Sequence, residues 1–304
     1  MSELDPEFLQ QQDRQISAQF GEDSPAARQF DRARRKVLLH DIMAFLRGYR
    51  NHLLDFGPLS EALASGEPVD LGILEVPLNA IRGSVDRYQE FDLAFLPKHE
   101  GLRDRWQRVE AARRYGLPTR PVELYKLGEV YFVKDGHHRV SVARLHGDKT
   151  IQAHVLEMTS RVPLHSELKP DDLPDIQAYG DFLRVTRADE ILPGADLRLS
   201  EPRYYARLLR HIALFRYLNR TPDEEPREWP EAVRAWYDQL YRPICEMIRD
   251  SSVMKRFPKR TRTDLYLWIT THFRQLNKRL PRPEEMEEIA DHLDDTYLAP
   301  FWNG

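Results

Sequence analysis

The spacing of apolar residues predicts helices towards both ends of the chain. Ser24-Pro25-Ala26 offers an N-cap followed by proline at the first helical position, and apolar residues recur at helical spacing to about His52. Further along, four segments with the same spacing are separated by loops that contain proline. They cover about 202–219, 230–249, 263–279 and 284–297. We therefore expect one long N-terminal helix, or two stacked ones, and an all-α C-terminal domain.

The middle of the chain mixes strand and helix patterns and predicts a compact α+β unit. Pro77 falls in the first strand pattern, which places that strand at a sheet edge or a bulge, and Gly128-Glu129 is typical of a tight hairpin turn. The predicted elements are a strand at 73–81, a helix at 102–115, strands at 121–127 and 130–134, a short helix closed by Gly147, and a strand at 150–155.

Residues 159–200 are rich in proline and aspartate, and we interpret them as the boundary between two domains, with a short hairpin around 182–186 and 196–199. The predicted fold class is α+β: a compact domain with an N-terminal helical extension and an all-α C-terminal domain. The predicted divisions are a tail with the helical extension at 1–56, the α+β domain at 57–160, a linker at 161–200 and the helical domain at 201–304.

Composition narrows the class of protein. The chain has 304 residues, of which 41% are hydrophobic, enough for real cores and too many for wholesale disorder. Its 45 basic and 49 acidic residues nearly cancel, which excludes a polycation that binds nucleic acid through its overall charge. The single cysteine, Cys245, excludes a disulfide framework or a cysteine zinc site within one chain.

The start of the sequence, MSELDPEF, lacks the basic and apolar regions of a signal peptide, and no run approaches the ~18 apolar residues of a membrane span. We expect a cytoplasmic protein without a membrane partner.

The run KDGHHRVSVARLHG at 134–147 carries the candidate chemistry. A strand ends, Gly136 permits a sharp turn, and a helix begins at His137 or His138, so that unpaired backbone N–H groups form a seat for phosphate. Arg139 in the first turn can grip the same anion. The two histidines can donate hydrogen bonds or move protons. Asp135 is placed to cap the helix or to hold a metal ion or a substrate hydroxyl.

A purely structural interpretation of the same residues remains open. Asp135 can be an ordinary N-cap, Gly136 can serve only the turn, and Arg139 can pair with a neighbouring acid. A metal site made by His137 and His138 is disfavoured, because neighbours on a helix point ~100° apart and no third ligand lies nearby in sequence.

The order of elements and this turn resemble the ParB/sulfiredoxin-like fold over about residues 73–158. The resemblance implies a turn that binds nucleotide phosphates, with Gly136 and Arg139 on the turn and His138 before the arginine. Asp135 corresponds to the acid that kinase-like members carry before the glycine. Segments within 204–273 resemble an uncharacterised helical domain found fused to such domains in bacteria, which implies an architecture and no activity.

Departures from the family's motifs exclude two of its activities. Sulfiredoxins need a cysteine at the position of His137, and partitioning proteins carry Glu-Arg-Arg after the glycine, so neither activity is expected here. The resemblance implies a nucleotide-binding protein, Mg²⁺ with ATP, ADP or CTP, and hydrolysis or phosphate transfer with Asp135 and His137 as catalytic residues. The alternatives are a nuclease, and a non-catalytic protein that holds a nucleic-acid backbone phosphate, regulates or acts as a scaffold.

Four acids between the first strand and the helix at 102–115 are candidates for a general base or a magnesium ligand: Glu90, Asp92, Glu100 and Asp104. The sequence does not choose among them. It predicts a solvated surface for the basic clusters at 32–36 and 255–262 and a buried, inert role for Cys245. The helical domain is expected to offer a surface for a protein partner or a second copy.

Overall fold

A computed structural model describes residues 24–219, 227–277 and 285. The chain forms two compact units that divide between Leu173 and Pro174. The first unit contains a sheet with helices and the described part of the second is helical, so the predicted α+β class is confirmed. In the described residues, no helix combines the length and the apolar character that crossing a bilayer requires.

A mixed six-stranded sheet organises the first unit, with strand order β1-β3-β5-β4-β6-β2. Its strands are β1 (Leu54–Asp55), β2 (Ala64–Pro77), β3 (Ile81–Ser84), β4 (Val122–Leu127), β5 (Val130–Asp135) and β6 (Thr150–Ser160). Strand β3 runs parallel to β1 and β5, and β4 runs parallel to β6, whereas β4–β5 and β2–β6 are antiparallel. The ends of β3 and β5 therefore lie at the same edge of the sheet.

The described residues of this unit form four α-helices: α1 (Pro25–Arg47), α2 (Phe56–Leu63), α3 (Arg103–Arg114) and α4 (His137–His146). The predicted cap of α1 is confirmed, since Ser24 Oγ accepts a hydrogen bond from the Ala27 N–H at 3.0 Å. Gly48 ends the helix in the left-handed region. Phe30 of α1 packs edge-to-face on Trp106 of α3 at 5.7 Å between ring centroids, within the core beneath the sheet.

Two predicted elements differ from the structure. The strand expected at 73–81 is split, because β2 ends at Pro77 and a 3₁₀ turn, Leu78–Ala80, separates it from β3. Pro77 does lie on an edge strand, as predicted. The prediction of a short hairpin around 182–186 and 196–199 is wrong, because the structure has no strand at either segment. Residues 182–186 belong to the helix α5 (Leu173–Thr186), and helix α6 (Ala188–Ile191) follows it.

The second unit packs its helices around buried aromatic residues. Besides most of α5 and α6, it contains α7 (Tyr205–Leu218), α8 (Trp229–Trp236), α9 (Arg242–Asp250), α10 (Val253–Arg256) and α11 (Arg262–Asn277). A π-helical turn, Tyr237–Tyr241, joins α8 to α9. Trp236 Nε1 donates a hydrogen bond to the Tyr266 hydroxyl at 2.8 Å. Both side chains are fully buried and belong to the core of this unit. The helix predicted at 284–297 lies outside the described residues, apart from position 285.

Candidate functional site

The strand-turn-helix junction at the edge where β3 and β5 end has the predicted geometry. Strand β5 ends at Asp135, Gly136 occupies the N-cap position with φ +99°, and α4 begins at His137. No side chain in the described part of the chain caps the helix, and Gly136, not Asp135, occupies the N-cap position. The first backbone N–H groups of α4 therefore have no side-chain partner, as an anion site at a helix N-terminus requires.

Gly136 is required by both its backbone conformation and its surroundings. A Cβ atom at this position would lie 2.6 Å from Val122 Cγ1 and 2.9 Å from a terminal nitrogen of Arg139. The positive φ is also unfavourable for any other residue. The glycine therefore lets the start of α4 pack directly against the first residue of β4.

His137 lies close to Ser84, the last residue of β3. A hydrogen bond of 2.7 Å joins Ser84 Oγ to His137 Nε2, and the serine Oγ also accepts the N–H of Arg87 at 2.8 Å. Both side chains are buried, and the His137 ring stacks on Phe91 at 5.8 Å between centroids. Ser84 thus fixes the orientation of the imidazole, and its burial makes it a poor nucleophile.

His138 is buried without a hydrogen-bond partner. It is 8% exposed, and neither Nδ1 nor Nε2 makes a hydrogen bond to the described part of the protein. Its ring meets Phe91 edge-on at 5.7 Å. An unpaired buried polar group costs about 1–3 kcal/mol, so two unpaired ring nitrogens at an uncapped helix start are an unusual feature.

Burial lowers the pKa of His137 and the pKa of His138 to about 4. The positive charge of Arg87 acts on both rings in the same direction, and that of Arg105 acts on His138. Both imidazoles are therefore neutral at pH 7. The hydrogen-bonding role predicted for them is compatible with this state, whereas proton transfer near neutral pH would require a ligand to raise the pKa.

These lowered pKa values predict that the first unit loses stability in mild acid. In the unfolded chain these histidines have an ordinary pKa of about 6.5 and become protonated as the pH falls below it. In the folded chain they stay neutral until about pH 4, so between these pH values protonation favours the unfolded chain. We expect the free energy of unfolding to fall by a few kcal/mol across this window. Urea titrations at several pH values should show a smaller fall for His138→Leu. Equal falls in both proteins would contradict the assignment.

Arg139 and Asp135 form an ion pair within the turn. Arg139 donates to Asp135 Oδ2 at 2.6 Å, to the Pro121 carbonyl at 2.9 Å and to the Arg120 carbonyl. The arginine side chain is 18% exposed, whereas that of Asp135 is 68% exposed. Arg139 thus ties α4 to the segment that leads into β4, and a phosphate would have to compete with these three acceptors.

The structure separates the four candidate acids. Glu90 pairs with Arg87, and its negative charge acts on both histidines. Asp92 is fully buried and accepts the N–H groups of Ala94 and Leu96, so it organises its own loop. Exposed Glu100 pairs with half-buried Arg103, and Asp104 is an exposed residue at the start of α3. Glu90 is therefore the acid of this set that belongs to the site.

The carboxylates near the turn do not form a ready metal cage. Across residues 24–219, 227–277 and 285, no group of three or more His, Cys, Asp or Glu side chains is arranged to hold a metal ion. Asp135 is exposed and supplies one carboxylate. One carboxylate would suit Mg²⁺ only if phosphate oxygens supplied further ligands, which is the usual situation for this ion.

Several residues of the site carry no signal in the sequence. Ser84, Arg87 and Phe91 lie between the predicted elements, and only the pairing of β3 with β5 brings them to the histidines. Arg105 is one of several arginines on helix α3, so the sequence does not mark it as a site residue. The sequence signal for the candidate site is local: a strand pattern that ends at a glycine followed by polar residues.

The likeness to known proteins is weak. No family model matches the chain, and no curated protein matches it. Among solved structures, the crystal structure of sulfiredoxin from Arabidopsis thaliana is 23% identical and covers 29% of this chain and 86% of its own, with a TM-score of 0.22. No activity follows from a likeness at this level. The single cysteine of the chain, Cys245, lies buried in the second unit.

Proposed function

We propose that this chain binds the phosphate groups of a nucleotide at the start of α4. The observation that carries the proposal is His138, a buried imidazole in the first turn of α4. Among the described residues, its two ring nitrogens have no hydrogen-bond partner and no side chain caps the helix. A phosphate oxygen would accept hydrogen bonds from the free N–H groups of the helix and from the imidazole together.

The charges around the turn favour an anion. The positive charges of Arg87 and Arg105 both act on His138. Arg87 pairs with Glu90, and this pair is only partly buried, so its guanidinium can exchange the carboxylate for phosphate when a ligand enters. A dianion would be attracted by both guanidinium groups, while the neutral imidazole of His138 would add a hydrogen bond without a charge.

The reaction we propose is hydrolysis of the nucleotide or transfer of its phosphate. Exposed Asp135 would orient an acceptor hydroxyl or water and would contribute a ligand to phosphate-bound Mg²⁺, whose chemistry is neutralisation of the developing charge. His137, held by Ser84, would donate a hydrogen bond to a phosphate oxygen from a fixed orientation. ATP, ADP and CTP are the nucleotides to test first.

Replacing His138 by leucine should weaken binding without weakening the fold. The loss of a hydrogen bond to a charged group, about 1.5–3 kcal/mol, corresponds to a rise in Kd of about tenfold or more. Because the ring nitrogens have no partner in the ligand-free protein, we expect an unfolding temperature at pH 7 equal to or above that of the wild type. Isothermal titration with each nucleotide and Mg²⁺ gives Kd, and thermal scans give stability.

The contrasting variant is Arg139→Ala, which should lower binding and stability together, because its guanidinium joins α4 to two backbone carbonyls. A folded wild type that binds neither a nucleotide nor inorganic phosphate would overturn the proposal. So would a His138→Leu protein with unchanged Kd. Binding of a single-stranded oligonucleotide, without binding of free nucleotides, would support the non-catalytic nucleic-acid alternative instead.

A further inference from the structure

A cavity in the second unit has the chemistry of a second anion site. Its volume is about 250 Å³, and it lies where the π-helical turn, one side of α9 and the start of α11 come together with residues 194–196. The residues that matter for its chemistry are Tyr237, Tyr241, Arg242, Cys245, Arg249 and Arg262. All of them belong to the second unit, so this cavity shares nothing with the turn at α4.

The π-helical turn shapes the wall of the cavity. An inserted π turn shifts the helix register, and such turns occur often at functional sites. Here it stacks the rings of Tyr237 and Tyr241 at 5.4 Å between centroids. The Tyr241 hydroxyl is fixed by hydrogen bonds to the Asp196 carbonyl at 3.1 Å and to Thr263 Oγ1 at 2.8 Å. The wall is therefore rigid before any ligand enters.

The charge of the cavity is positive. Three arginines line it against two acids, Asp196 and Glu246. Asp196 already accepts two hydrogen bonds from the guanidinium of Arg198, at 2.9 Å and 3.0 Å. Arg262 makes no ion pair with any residue in the described part of the chain. One guanidinium is thus available to a ligand.

The neighbouring sequence adds to this charge. Residues 242–262 contain seven lysines and arginines against two acids, Glu246 and Asp250. Arg249 pairs with Asp250 at 2.8 Å, and Arg242 lies 3.4 Å from Asp238. Exposed ion pairs of this kind contribute little, about 0–1 kcal/mol, so either arginine can turn to a bound anion at low cost. The net positive charge of residues 242–262 would therefore attract an anion towards the cavity.

We propose that this cavity binds a small phosphate monoester. Guanidinium groups match the oxygens of a phosphate dianion through paired hydrogen bonds, and three of them line this cavity. The volume is below the roughly 300–1,000 Å³ of sites for drug-sized molecules, so the ligand must be small. The stacked tyrosines provide an apolar surface for the carbon part of the ester.

Cys245 provides a local reporter, because it lines the cavity and is the only cysteine in the chain. Burial raises the pKa of its thiol to about 12, so a small neutral thiol reagent will modify it slowly. We would measure this rate in the full chain by mass spectrometry, with glycerol 3-phosphate, inorganic phosphate or glycerol present. Glycerol 3-phosphate should slow the modification at least fivefold, and glycerol should have no effect.

Matched variants give the test its specificity. Arg262→Gln should abolish the protection, whereas Lys259→Gln, which removes one charge of the same basic stretch outside the cavity, should retain it. His138→Leu should also retain it, which separates this site from the turn at α4. Protection by inorganic phosphate alone would identify a phosphate site without an ester pocket and would overturn the stated ligand. Absence of protection, or equal loss in both charge variants, would overturn the site itself.

Discussion

Replacing Arg144 by alanine should lower the free energy of unfolding of the first unit by about 4 kcal/mol or more. The guanidinium donates to the Leu93 carbonyl at 3.1 Å and to the carbonyls of Leu78 and Ile81, and it lies 4.8 Å from the centre of the Phe95 ring. Each buried carbonyl left unpaired costs about 1–3 kcal/mol. Burial lowers the pKa of Arg144 to about 10, which leaves it charged at neutral pH.

Hydrogen exchange of peptides from β3 and β5, measured across a urea series, would localise this loss to the first unit. The matched control is Arg113→Ala. This arginine pairs with Asp148 at the surface, and its removal should cost less than about 1 kcal/mol. Equal effects of the two substitutions would show that Arg144 contributes no more than a surface charge. Arg144→Lys should restore only part of the stability, since an ammonium cannot reproduce the geometry of a planar fork.

Arg144 also connects fold and site, because it fixes the loop that carries Phe91. Its bond to Leu93 holds that loop against α4, while buried Asp92 accepts the N–H groups of Ala94 and Leu96 and pairs with His40 of α1 at 2.7 Å. Phe91 is thereby pressed against both histidines. The burial that lowers the pKa of the imidazoles thus depends on residues outside the turn.

Local signals were enough to predict most elements around the site. The Ser24-Pro25 cap, the Gly128 turn and the Gly147 helix end each act within a few residues, and the structure has an element boundary at all three. The same locality explains the failures. The predicted strand at 73–81 runs through Pro77, whereas the observed strand ends at this residue. Residues 182–186 have a strand-like composition but form a helix, because they pack in the second unit.

The contacts of the site could not be predicted in the same way. Ser84 and His137 are separated by 53 positions, and their hydrogen bond exists because β3 and β5 pair in a parallel register. Arg144 follows an apolar run in a short helix and looks like a solvent-facing residue, although three backbone carbonyls surround it. Sequence patterns report the face and the period of an element, whereas these contacts depend on how elements are ordered in the sheet.

The second large effect on stability is expected for Gly83→Ala, because strand β3 lies between β1 and β5 in the sheet. Gly83 lies in β3 opposite Leu54 of β1 on one side and Phe132 of β5 on the other. A Cβ atom there would be 2.2 Å from Phe132 Cδ1 and 2.7 Å from the Leu54 carbonyl oxygen. The Phe132 ring is fully buried and contacts Phe56 at 5.2 Å between centroids, so it has no room to withdraw.

We therefore expect Gly83→Ala to lower the free energy of unfolding by about 3 kcal/mol or more, through overpacking of the strand that ends at Ser84. Urea denaturation would measure it. Gly101→Ala is the control, because a Cβ there meets no atom within 4 Å and its φ lies outside the positive range; it should change stability by about 0.5 kcal/mol or less. If Gly83→Ala were as mild as the control, β3 would not be packed between β1 and β5 as described. Ser84 would then have no fixed position beside His137, and the argument for an oriented imidazole at the start of α4 would fail with it.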